Sequence, residues 1–262
     1  MAREFAPEAA TAGCAVIDTS SAFSRDAAVP LSIPSVNPQV LASRPKGIVA
    51  CPSAATLQLL TVLQPIHAKA GVLNVNVTAL AAVSGAGKAG IDELAGQTAM
   101  LLNAREAKAK AFPKQIAFNC LPQVGDFLDD GYTDQEVTIM EEARKILVDE
   151  HIKIDVTAVR VPVFYGDSHI LRLETREPLV AEEVRRILAK TSGIRVLDER
   201  EDGGYPTAVT EGVSHDEVFV GRIRDSISHP QGLNLWVVAD NVRRGTALTA
   251  VQIAELLIRD YL

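Results

Sequence analysis

The stretch Val72-Leu73-Asn74-Val75-Asn76-Val77-Thr78-Ala79-Leu80 alternates in side-chain character with the period of a strand, and it runs into Ser84-Gly85-Ala86-Gly87-Lys88. Residues 89–104 then read as a helix. Strand, glycine-rich turn and helix in that order make one unit of a sheet covered by helices. The turn admits two readings. Its backbone amides suit a phosphate at a helix N-terminus, or it is a plain strand-to-helix turn. It is not a Walker A loop, because Ala89 follows the lysine and Ala82 stands where the first glycine belongs.

Upstream, Gly47-Ile48-Val49-Ala50-Cys51-Pro52 reads as a short buried strand halted by proline, followed by an apolar helix over 54–70. Gly13-Cys14-Ala15-Val16-Ile17-Asp18 is a second β-like run, preceded by a dozen residues that read as the end of a helix. Downstream, a strand is expected at 115–122. A helix follows over 133–150, with Thr133 as N-cap and Glu136 completing a capping box. Two β runs, 154–164 and 168–173, are joined across Gly166 with hairpin-like spacing. A helix (180–190), strands near 194–197, 218–224 and 233–239, and a closing helix from about 246 complete the chain. The class is α/β with an α+β portion.

Of the 262 residues 47% are hydrophobic, 23% charged and only 5% aromatic, which favours aliphatic strands under helices. Lys plus Arg number 26 against 33 for Asp plus Glu, a net charge of −7 that offers no cationic footprint for nucleic acid. No run approaches the ~18 apolar residues of a membrane span. Cys14, Cys51 and Cys120 fall at no metal-finger or CxxC spacing and read as reduced thiols of a cytoplasmic protein. Asp167 and His169, two apart on a β run, share a side, but with no third ligand nearby they read as a partly solvated loop pair rather than a metal site. Cys51 before Pro52 sits where a nucleophile can stand, yet a buried cysteine behaves as a small hydrophobe.

Several segments occur in a telling order: Val16-Ile17-Asp18, Gly47 to Pro52, Ala82-Val83-Ser84-Gly85-Ala86-Gly87-Lys88, Ala117-Phe118-Asn119, Leu121-Pro122-Gln123, Arg160-Val161-Pro162-Val163, Phe219-Val220-Gly221-Arg222-Ile223-Arg224 and Trp236-Val237-Val238-Ala239-Asp240-Asn241. Together they resemble aspartate-semialdehyde dehydrogenase over essentially the whole chain. The resemblance implies a partial Rossmann-like nucleotide-binding domain (1–53), an α+β catalytic and dimerisation domain with a mixed sheet (54–240), and a C-terminal helix (241–262) returning to the first domain. It also implies a cytoplasmic homodimer, NADP as cofactor, and a small acidic substrate whose acyl phosphate is reduced through a cysteine thioester with a histidine handling the proton.

The matching positions depart from that chemistry. The nucleophile position is Ala54, the glutamine before the glycine-rich stretch is Ala81, and the histidine seven residues after the substrate arginine, Arg160, is Asp167. The lysine of the helix motif Gln135-Glu136-Val137-Thr138 is Thr138, and the phosphate arginine of the early loop is Ser24, with Arg25 beside it. Losing nucleophile and base from such an enzyme costs on the order of a million-fold in rate, and the pattern resembles the Usg-like paralogues with an incomplete site. Ser84, Gly85 and Asn241 are the remaining cofactor positions. The G-x-x-G-x-x-G fingerprint is absent, as though roughly the first quarter of the family's chain were missing, so the adenosine half of NADP lacks a seat and the apolar faces near Ile17 and Val49 are expected to lie uncovered.

Overall fold

The computed structural model describes residues 1–261. Helix α2 (Ala54–Ala70) is buried without a break from Thr56 to Leu63, the signature of a helix that is apolar all round and therefore central. Ser53 caps it by accepting the Thr56 amide, and Gly71 ends it at a positive φ of 63°. It packs against a six-stranded mixed sheet and two neighbouring helices.

The sheet is organised about β3 (Val72–Ala81). Val72, Val75, Val77 and Ala79 face the α2 side, buried, while Leu73 and Asn76 are exposed. The chain leaves β3 through the turn into α3 (Gly87–Leu102), crosses to α4 (Asp134–Leu147) and returns as β4 (Lys153–Arg160), parallel to β3. β5 (Asp167–Thr175) pairs antiparallel on the other side of β3. After α5 (Ala181–Ala189), β6 (Ile194–Val196), β7 (Val218–Asp225) and β8 (Gly232–Ala239) complete the order β4-β3-β5-β8-β7-β6. The second face of this sheet carries a row of Thr157, Thr78, Ile170 and Trp236 and a parallel row of Asp155, Asn76, Arg172 and Asn234. Ile170 is 43% exposed there.

A smaller layer holds α1 (Ala2–Thr11), β1 (Val16–Asp18), β2 (Ile48–Ala50) and α6 (Leu248–Asp260), with β1 and β2 parallel. The faces near Ile17 and Val49 are not bare, contrary to expectation. Ile48 and Ala50 belong to the main core with Ala6 and Leu57, while Val49 packs with Leu41, Cys51, Ile253 and Leu257, against which Ile17 also lies. The returning helix α6 supplies the cover.

Two other expectations fail for identifiable reasons. Residues 115–122 form no strand: the Gln97 side chain accepts the Ile116 and Ala117 amides, Phe118 turns the chain at a φ of 59°, and one bridge from Leu121 to Arg160 is all that remains of a ladder. The runs flanking Gly166 form no hairpin, because β3 lies between β4 and β5. Gly166 is required all the same: its φ is 86° and a Cβ would stand 2.7 Å from the Ala208 carbonyl oxygen.

Candidate functional site

The parallel strands β3 and β4 finish together, Ala81 opposite Arg160, and β5 begins beside them because Leu80 pairs with Ser168. β8 ends opposite, with Ala239 paired to Asp167, which delivers Asn241 to the same place. The N-terminal turn of α2 and the first turns of α4 close the remaining sides. The result is a cavity of about 300 Å³.

The positions assigned from the sequence to nucleophile, base, substrate arginine and cofactor line this one cavity: Ala54, Ala81, Asp167, Arg160, Ser84, Gly85 and Asn241; Thr138, the lysine position, does not. Ser53 and His169 line it as well. The early-loop positions do not. Arg25 bonds Glu141 at 2.7 Å and donates to Thr138 Oγ1 at 2.8 Å, while Lys145 pins the same loop by donating to the Ser24, Asp26 and Val29 carbonyls. Ser24 is buried in that loop. Both cations are thus spent on the scaffold.

Arg160 and Asp167 are 8% and 7% exposed, and both are anchored on a single residue. The Ala82 amide donates to Asp167 Oδ1 at 2.8 Å, and Arg160 Nη1 donates to the Ala82 carbonyl at 2.6 Å. The guanidinium also lies over the Phe112 ring, and Gly85 makes room for it, since a Cβ there would stand 2.9 Å from Nη1. Burial pushes the Asp167 carboxyl up to about 6 against the pull of the Ala82 amide and of Arg160. His169 is 1% exposed, its Nε2 is 2.9 Å from Gln58 Oε1, and burial lowers its imidazole to about 4. Asp167 and His169 are therefore not a partly solvated loop pair but two buried groups on one face of β5. Among the described residues no third metal-ligating group joins them.

No thiol lies in the cavity lining. Cys51 is buried in the small layer with Val49 and Ile253, and desolvation, aided by Asp18, raises its thiol to about 12, far from the thiolate a nucleophile requires. Ser53 Oγ lies 2.8 Å from Thr56 Oγ1, which donates to the buried Glu142 Oε2. Its amide donates to the same oxygen, and the set serves the helix cap.

The amides at the start of the glycine-rich turn are already engaged. Val83, Ser84 and Gly85 donate to the carbonyls of Val163, Phe164 and Ala82. Ser84 Oγ and the Asn241 amide bond each other, and Asn241 Oδ1 also accepts the Gly166 amide. These three positions, assigned to the cofactor from the sequence, frame one rim of the cavity.

Gln58, Phe112, Glu142 and the Ala82 peptide were missed in the sequence. Gln58 is four residues beyond Ala54 and so shares its helix face, and Glu142 follows Gln135 and Ile139 on theirs. No sequence signal marks Phe112.

Residues 63–244 match the family model for the semialdehyde dehydrogenase dimerisation domain, and residues 1–44 match that for the semialdehyde dehydrogenase NAD binding domain. The chain is 49% identical to aspartate-semialdehyde dehydrogenase of Shewanella violacea and 50% identical to aspartate-semialdehyde dehydrogenase 2 of Vibrio cholerae, in each case over all of this chain and 77% of the relative. The crystal structure of aspartate semialdehyde dehydrogenase II from Vibrio cholerae superposes with a TM-score of 0.97 over all of this chain and 77% of that one. Fold and cavity are those of a semialdehyde dehydrogenase scaffold, a mixed-sheet domain joined to a small parallel layer. The chain belongs to the aspartate-semialdehyde dehydrogenase family.

Proposed function

We propose that this chain is a catalytically inactive member of its family, akin to the Usg-like paralogues, which keeps the homodimeric scaffold and the carboxylate-binding arginine. The observation that carries this reading is the cavity wall. Ala54 stands where the family's thiolate would attack, and no other thiol lines the space. At the base position stands the carboxylate of Asp167 in place of an imidazole, tied to the Ala82 amide. Arg160 remains, buried and oriented, as a partner for a small acid. On this reading residues 1–53 with 241–262 form the nucleotide-binding part and 54–240 the dimerisation part. The second copy sits on the sheet face carrying Ile170 and Trp236, and the NADP contact is limited to Ser84, Gly85 and Asn241.

The test is direct. Purified protein given aspartate semialdehyde, phosphate and NADP should show turnover on the order of a million-fold below an active relative. Ala54→Cys with Asp167→His should raise the rate by at least about a hundredfold if the pocket is otherwise intact. Turnover of the unmodified chain within about tenfold of an active relative would sink the reading.

A further inference from the structure

We propose that Ser53 gives this cavity a chemistry of its own: it accepts a short acyl group from an activated ester or thioester and releases it by hydrolysis, with the proton passing through Thr56 to Glu142. The inference goes beyond the reading above. It needs no nicotinamide, and its assay is independent of dehydrogenase turnover.

The acceptors fix where the protons point. Glu142 Oε2 accepts the Ser53 amide at 2.9 Å and the Thr56 hydroxyl at 2.6 Å, so the Thr56 proton is directed at the carboxylate. Ser53 Oγ lies 2.8 Å from Thr56 Oγ1 and is therefore the donor of that pair. One lone pair of Ser53 Oγ accepts the Thr56 amide at 3.3 Å. The other bonds no protein group among the described residues. A hydroxyl whose proton runs through a second hydroxyl onto a carboxylate is a serine paired with a base, one residue before the alanine at position 54. Capping α2 accounts for the Ser53 hydroxyl but not for the far end of the chain. Glu142 is 1% exposed, and its Oε1 is buried with no hydrogen-bond partner, a cost that a helix cap does not require.

The same helix end serves the acyl oxygen. Ser53 is the N-cap of the 17-residue α2, and the amides of Ala54 and Ala55, the first two of the helix, have no intrahelical acceptor. They stand where charge develops on a carbonyl oxygen under attack from position 53. Ser53, Ala54 and Ala55 line the cavity of about 300 Å³, and Ala79 and Ala81 give it an apolar wall. That room suits a short aliphatic acyl chain.

In the forward step Ser53 Oγ bonds the acyl carbon, its proton moves to Thr56 Oγ1, and the Thr56 proton moves to Glu142 Oε2. The reverse shift returns one proton to the leaving group as its bond to the acyl carbon breaks. Water then attacks the Ser53 ester by the same two shifts, restoring the hydroxyl and releasing the free acid. Nothing is oxidised or reduced.

Hydrolysis of p-nitrophenyl acetate by the full chain at neutral pH is the test. The unmodified protein should release p-nitrophenolate about a hundredfold faster than Ser53→Ala. Thr56→Ser, which keeps the relay hydroxyl, should retain most of the rate, whereas Thr56→Val should lose about a hundredfold. Glu142→Gln, which keeps an oxygen for the Ser53 amide but no base, should fall as far as Thr56→Val. A purely structural role for Thr56 gives equal rates for Thr56→Ser and Thr56→Val when both show the circular dichroism of the unmodified chain, and that result overturns the inference. So does a Ser53→Ala rate equal to that of the unmodified protein. A second measurement needs no variant: phenylmethylsulfonyl fluoride should leave its sulfonyl group on Ser53 in a peptide map. Label confined to other residues, or none, overturns the inference, and this map decides should the variants fail to fold.

Discussion

At Asp167 and His169, burial moves two neighbouring groups in opposite senses, and their contributions to stability oppose each other. The folded carboxyl titrates at about 6 against 3.8 when free, so the native state keeps a proton that the unfolded chain has released, and stability is lost as pH rises through that window. The imidazole falls from 6.5 to about 4, so its contribution is present above 6.5 and is lost as pH falls. Each is on the order of 3 kcal/mol. Denaturant unfolding between about pH 4 and 7 should therefore show Asp167→Asn losing more stability than the unmodified chain on acidification. His169→Gln should do the reverse, losing more as pH rises from 4 to 6. Equal pH profiles for all three proteins would contradict the burial of the pair. The cavity positions Ala54 and Asp167 were legible because they lie within or beside the motifs that carry the family resemblance. The Ala82 anchor was not, because a backbone group serving two side chains leaves no trace in residue type.

Among the elements, α4 shows how local sequence sets the cavity wall. Thr133 Oγ1 accepts the Glu136 amide, Glu136 Oε2 accepts the Thr133 amide at 2.7 Å, and Glu136 Oε1 accepts the Ala158 amide from β4 at 2.8 Å. Thr133→Ala should cost about 1 kcal/mol in chemical denaturation. Glu136→Ala should cost more, since it also strands the buried Ala158 amide on β4, two residues before Arg160. A Glu136→Ala cost no larger than that of Thr133→Ala would show that the link to β4 is worth nothing. This capping box was readable from spacing alone, as were β3, α2 and the strands 218–224 and 233–239. Residues 115–122 and the pair flanking Gly166 were not. Their sequences carry β propensity, but a distant glutamine claims the ladder amides of one, and a strand made some eighty residues earlier separates the other two.

For the molecule as a whole, the sheet bears one face packed on α2 and one that carries Ile170 and Trp236 side by side, flanked by Thr78. If this is where two copies meet, the apolar centre and the polar row of Asn76, Arg172 and Asn234 have the core-and-rim arrangement of an interface. Ile170→Glu should convert a dimer in sedimentation into a monomer with unchanged far-ultraviolet circular dichroism; a dimer that persists would move the interface elsewhere. The closure of the small layer by α6 bears on how the polypeptide is made. Domains ordinarily fold as they emerge, N-terminal first, but here Leu41 and Val49 wait for Ile253 and Leu257, roughly two hundred positions later. The strands β1 and β2 are thus sealed only after α6 has been made, and this layer depends on synthesis running through residue 257 before it can settle.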